Sequence, residues 1–259
     1  MLVGLATSFI ISSPSEEIVR PDQRTYRSQV LDHLGLVAGM FDELGSGDVI
    51  DQASQQHPER RDLTVGEAVK AMVLNGLGCI NQALYLVPRF FQTKPTSRLI
   101  SPRVTFEPRN DDALGRALDT LYAVGVTELY SLMAATAAQR LGLAPRLAHL
   151  DSTSFHVDGR YNSDEEPDDA LIHITRGDSR EHRHALNQVL LDLVVEHQTG
   201  MPVLMKPRSG NNRDVQDFGQ IITDHMTQWQ ITYSTTCLGA ASALYRAENL
   251  QKLAETRTT

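Results

Sequence analysis

The residues of this chain best placed to do chemistry lie between Arg146 and Gly159, R-L-A-H-L-D-S-T-S-F-H-V-D-G. An apolar run, Leu147, Ala148 and Leu150, leads into a carboxylate, Asp151. Three hydroxyl residues follow, Ser152, Thr153 and Ser154, then Phe155-His156-Val157 and a turn at Asp158-Gly159. The pattern predicts a β-strand carrying an acid part-way along it. A carboxylate held on a strand is a hard oxygen ligand, suited to magnesium or manganese. One is not enough for phosphoryl transfer, which takes two or three carboxylates converging on two ions roughly 3.5–4 Å apart. Asp151 is thus a candidate catalytic acid and metal ligand in need of partners.

The other charged residues do not supply those partners plainly. Asp214 and Asp224 fall on a helical pattern and read as a helix cap and a surface charge. A two-metal nuclease pairing one of them with Asp151 is the rival assignment. Tyr161–Asp169 carries five acids and no base, and reads as a solvated loop, because the EF-hand pattern is absent. His173, His182 and His184 lie among Arg176, Arg180 and Arg183 at spacings that match no zinc motif. That locally basic loop, with Lys206, Arg208 and Arg213, is a candidate for sequence-independent contacts to a phosphate backbone. Ordinary surface charge is weighed equally for these six residues. His156 fits a position near the site or a turn equally well. Tyr85, Phe90 and Phe91 sit at helical spacing and read as core.

The elements that must position Asp151 follow from the hydrophobic period. Residues 1–28 show no sustained period and are expected to be poorly ordered. From Gln29 the spacing is helical (Leu31, Leu34, Val37, Phe41, Leu44) until Gly45-Ser46-Gly47 stops it. Gln52–Asp62 reads as a loop. Thr64-Val65-Gly66-Glu67 is a capping box, with Val65, Ala68, Val69, Met72 and Val73 behind it on one face. An apolar helix is predicted over Cys79–Phe91, kinked or ended near Pro88, in preference to a helix-turn-helix. Lys94–Pro108, with three prolines, reads as an extended connector. Asn110 caps a helix with Leu114, Leu118, Leu121 and Tyr122 inward, and Thr127 caps another with Leu129, Leu132 and Met133 inward, ending at Gly142.

At Ala144-Pro145 the period changes from helix to strand. After the Asp151 strand, Leu186–Val195 reads as a buried strand interrupted by Asp192, Gln198-Thr199-Gly200 as a turn and Met201–Lys206 as the return strand. Asp214–Met226 is helical, Ile231–Leu238 is strand-like, and Ala247–Thr256 is a short helix. Three antiparallel strands, a crossover helix and a fourth strand parallel to the first make the opening half of a ribonuclease-H-like fold. The expected class is therefore α+β: a helical domain at 29–142, then a partial ribonuclease-H-like α/β domain at 144–259. In such a fold the second acid follows the fourth strand. Here Cys237-Leu238 is followed by Gly239-Ala240-Ala241, with the next acid at Glu248.

A net charge of −8 and a pI near 5.6 give no bulk attraction to polyanions, so any nucleic-acid contact must be local. Two distant cysteines, Cys79 and Cys237, exclude a disulfide framework and suit a reducing cytoplasm. No apolar run approaches the roughly 20 residues of a membrane span, and Met1–Ile11 lacks the basic start of a signal peptide.

Taken together, several stretches resemble bacterial insertion-sequence transposases of the DDE type, in the subgroup that opens with a helical domain of uncharacterised function. They are L-D-H-L-G-L-V-A-G-M (31–40), L-T-V-G-E-A-V-K-A-M-V-L-N-G-L-G (63–78), L-Y-L-V-P-R-F-F (84–91) and N-D-D-A-L-G-R-A-L-D-T-L-Y (110–122). H-L-D-S-T-S-F-H-V-D-G (149–159), I-H-I-T-R-G (172–177), L-N-Q-V-L-L-D-L-V-V-E-H-Q-T-G-M-P (186–202) and S-G-N-N-R-D (209–214) continue the series. The resemblance covers about residues 29–255. It implies Mg2+ or Mn2+ as cofactor and DNA at transposon ends as partner, with homo-oligomers an open alternative. In that family the strand corresponding to 231–245 ends in an aspartate; here the stretch is G-A-A-S-A-L-Y, with Ala241 at the second catalytic position. Only Asp151 carries over. The resemblance thus implies a transposase fragment that lacks its third acid and is catalytically inactive. The alternative is a non-catalytic DNA-binding or dimerisation fragment that modulates a full-length relative.

Overall fold

The computed structural model describes residues 18–19, 25–26, 31–54, 63–77, 84–104, 110–143, 147–159, 161, 172–177, 185–212 and 237–240. Among these residues seven α-helices and a small, largely antiparallel sheet make a mixed α+β structure. The chain divides into two compact units, Met1–Val124 and Gly125–Thr259. The last helix before the sheet therefore goes with the sheet, and the division lies one helix earlier than the expected boundary at 142–144.

In the first unit the described residues start with a two-residue antiparallel ladder, β1 (Ile18–Val19) and β2 (Thr25–Tyr26), inside the stretch that lacks a hydrophobic period. Helix α1 (Leu34–Glu43) buries Leu34 and Ala38, whereas Leu36 and Met40 stay exposed. Gly45 stands in the left-handed region (φ 66°), as a helix-ending glycine does. The chain does not stay in a turn there. It enters helix α2 (Ser46–Ala53) at once, which the glycine pair had masked.

Helix α3 (Val65–Leu77) starts as its sequence dictates. The Glu67 amide donates to Thr64 Oγ1 at 3.1 Å and the Thr64 amide donates to Glu67 Oε2 at 2.9 Å, closing the capping box. Asp51 of α2 accepts the Gly66 amide at 2.7 Å, tying the two helices together. Gly66 has to be glycine: a Cβ there would stand 2.6 Å from the Gly47 carbonyl oxygen. Beyond a 3-10 turn at Leu84–Leu86, helix α4 (Val87–Phe91) carries Pro88 in its first turn. Pro88 opens this helix rather than ending one, because its missing N–H falls where no intrahelical partner exists. Phe90 and Phe91 are buried and meet edge to face, centroids 4.9 Å apart; Tyr85 is exposed instead of core. Thr96–Leu99 of the expected connector forms a short helix, α5. Helix α6 (Asn110–Val124) buries Leu114 and Ala117, leaving Leu118 and Tyr122 outside.

The second unit opens with helix α7 (Val126–Leu141), which packs against the sheet. Leu129 and a small-residue stripe of Ala134, Ala137 and Ala138 are buried, whereas Leu132 points outward. Gly142, left-handed at φ 66°, ends the helix, and the Leu143 amide donates back to the Ala138 carbonyl at 2.8 Å. The sheet has the order β5-β4-β3-β6. Strand β3 (Leu147–Val157) pairs antiparallel with β4 (Asn187–Glu196), which pairs antiparallel with β5 (Pro202–Ser209). A short β6 (Cys237–Ala240) runs parallel to β3 on its other side. The hairpin and the parallel placement of the last strand agree with the sequence reading. The crossover between β5 and β6, Asp214, Asp224, Ala241, Glu248 and the helices expected at 214–226 and 247–256 lie outside the described residues.

Candidate active site around Asp151

Strand alternation decides what Asp151 faces. In β3 the even positions Ala148, Leu150 and Ser152 are buried, and the odd positions His149, Asp151, Thr153 and Phe155 are exposed. In β4 the buried set is Gln188, Leu190, Asp192, Val194 and Glu196. One side of the sheet is thus closed, and Asp151 stands on the more open side. It is paired in register with Leu193 of β4. Its Oδ1 accepts the backbone amide of Ser152 at 2.9 Å. β3 is a central strand, paired with β4 along its length and with β6 over Leu147–Leu150. The parallel ladder to β6 runs from Leu147↔Cys237 to Leu150↔Ala240, ending one residue before Asp151.

The closed side holds a polar node that the sequence reading missed. Ser152 is paired with Asp192, and Asp192 with Lys206. The Ser152 hydroxyl donates to Asp192 Oδ1, and Arg208 Nε donates to Asp192 Oδ2. All three residues are buried: 5% exposed for Ser152, 1% for Asp192 and 8% for Arg208. A carboxylate removed from water needs such partners. Arg208, expected at a phosphate backbone, is spent inside the protein on this ion pair. The available signal was the period of two, which sets Asp192 and Arg208 on one face of one hairpin.

The remaining predicted site residues are scattered. Arg176 is exposed, in a segment whose Thr175 bridges Gln188. Gln188 pairs with His156, five residues along β3 from Asp151. At about 3.3 Å per residue that is roughly 17 Å from the acid. Lys206 lies mid-β5, half-buried. Arg180, Arg183, Arg213, His182 and His184 fall outside the described residues. His173 is held by its backbone, its amide donating to Ser209 Oγ at 3.0 Å.

At the far end of the hairpin, Glu196 organises the turn. It accepts the amides of Gln198 (2.9 Å) and Thr199 (2.7 Å) and the Thr199 hydroxyl (2.7 Å). Burial alone pushes its carboxyl up, but those hydrogen bonds and the neighbouring His197 bring it below the ordinary range. His197 and His149 face each other across the strands, Nδ1 to Nε2 at 2.8 Å. Burial raises the phenol of Tyr130 on α7, whose hydroxyl reaches the Pro202 carbonyl at 3.4 Å.

Among the described residues no three histidine, cysteine or acidic side chains converge as a metal site. Asp151 by itself does not fit a two-ion centre.

Residues 26–135 match a family described as a domain of unknown function, DUF4277. The match takes in α1 to α6 and runs into α7, stopping short of the sheet that carries Asp151. No curated protein and no solved structure matches the chain. Among the described residues no single helix is long and apolar enough to cross a membrane.

Proposed function

We propose that this chain is a DNA-binding, non-cleaving relative of ribonuclease-H-like DDE transposases. The observation that carries the reading is the strand order β5-β4-β3-β6, with Asp151 on the open side of the central strand and a parallel strand beside it. The match at residues 26–135 supports it, since that domain family is often found in transposases. In an active member a second carboxylate stands next to the first and shares its metal ions. The ladder ends at Leu150↔Ala240, and the residues that follow in the two segments are Asp151 and Ala241. A methyl group holds no cation, so Mg2+ or Mn2+ is not bound productively. What remains is sequence-independent attachment to DNA through Arg176, Lys206 and the arginines at 180, 183 and 213, steep in salt because it releases counterions.

Gel shifts on a mixed-sequence duplex over a salt series, with a parallel Mg2+ and Mn2+ cleavage assay, test this. Binding that weakens with salt and no cleavage is the expected result. Metal-dependent cleavage that Asp151→Asn abolishes would overturn the inactivity, and no binding at the lowest salt would overturn the DNA partner.

A further inference from the structure

His149 and His197 are paired independently of the reading above. His149 lies in β3, two residues before Asp151 and on the same open side. His197 immediately follows β4, and its amide donates to the Leu147 carbonyl at 2.9 Å, so backbone bonding extends to the residue that carries the second ring. The three hydrogen bonds that Glu196 accepts fix the turn behind it. Both imidazoles are exposed; their rings are tilted by 51°, with centroids 5.0 Å apart and Nε2 and Nδ1 separated by 2.8 Å. Two neutral imidazoles at that distance share one proton, one nitrogen donating and the other accepting. That arrangement leaves two soft-to-borderline nitrogen donors side by side, open to solvent and held by neighbouring strands.

We propose that His149 and His197 form a two-imidazole site for a late first-row divalent ion, Cu2+, Ni2+ or Zn2+. Metal–nitrogen bonds of roughly 2.0–2.1 Å span the observed 2.8 Å at an angle of about 85–90°. That is the angle between neighbouring ligands on a square-planar or octahedral ion, which suits Cu2+ or Ni2+. A tetrahedral Zn2+ at about 109° needs the nitrogens roughly 3.3–3.4 Å apart, reached by a small turn of the rings. In each case the ring that donates the hydrogen bond changes tautomer, its proton moving to its far nitrogen, so that both facing nitrogens offer a lone pair and both imidazoles bind neutral. Its remaining positions go to water, since no third histidine, cysteine or acid converges there among the described residues. Imidazole nitrogen selects these ions over Mg2+.

The test is a Ni2+ and Cu2+ titration of the full chain by calorimetry, with a competing chelator to set the scale. Nine histidines can each bind weakly, so the variants carry the argument. Expected is one site at least about tenfold tighter than that of His149→Gln or His197→Gln, with the double variant no weaker than either single one, since one imidazole alone forms no chelate. His33→Gln and Asp151→Asn leave the site intact, and excess Mg2+ does not displace the ion. Wild-type affinity in either histidine variant would overturn the proposal, as would wild-type binding no tighter than that of the double variant, which would make the pair a hydrogen bond only. Loss of binding in Asp151→Asn would overturn the two-histidine assignment. The outcome is independent of whether the chain binds DNA.

Discussion

Arg208 illustrates how a side chain's partner overrides its type. On a solvated strand it would be an ordinary cation; here it is buried against Asp192, whose other oxygen takes the Ser152 hydroxyl. The node is in register with Ser152, the residue after Asp151, and by burying Ser152 it turns Asp151 to the opposite side of β3. Removing one partner strands a buried charge, and Arg208→Ala is expected to cost about 3–5 kcal/mol in urea unfolding. The combination Ser152→Ala, Asp192→Leu and Arg208→Met removes the desolvation penalty with the pair and is expected to be far milder. If the triple variant is as unstable as Arg208→Ala, the node contributes more than ion pairing. Asp151 itself was legible from a strand pattern broken by one acid. The node was not, because it needs the hairpin register, which the sequence leaves open by a residue at the bulge between Val194 and Val195.

Elements with local signals came through, and elements set by packing did not. The capping box of α3, the glycine stops and the alternation of β3 are written into neighbouring residues. The continuation of α1 into α2 is not, since the contact that holds α2 on α3, with the Gly66 amide donating to Asp51, joins residues 15 positions apart. Gly66 shows what that contact demands. Gly66→Ala sets a Cβ 2.6 Å from the Gly47 carbonyl oxygen and is expected to cost about 1–3 kcal/mol by forcing the helices apart. In the hairpin, Glu196 links the turn to pH. Its carboxyl is held below its unfolded value, so its contribution is present above about pH 4.3 and is lost as pH falls through the folded value. Unfolding free energies of the wild type and Glu196→Gln, compared from pH 7 to pH 3, should therefore converge toward acid. Parallel curves would show that Glu196 does not titrate with folding.

At the scale of the whole molecule, the division at Val124–Gly125 changes what counts as the sheet's unit. Helical period alone assigns α7 to the helices before it, because nothing in its sequence says where its apolar face is buried. Its small-residue stripe provides the physical reason for the other assignment. Ala134, Ala137 and Ala138 are buried, and side chains that short let the helix lie close over a strand. Tyr130 reaches the Pro202 backbone from it, and β5 beneath contributes the fully buried Leu204. A sheet stripped of α7 would expose that apolar surface to association with other chains. Residues 125–259 are therefore expected to melt cooperatively when produced alone, whereas residues 144–259 are expected to aggregate or melt without a clear transition. Thermal melts with light scattering compare the two directly. Equal, cooperative melting of both would mean that α7 is accessory to the sheet and that the division belongs nearer to Gly142.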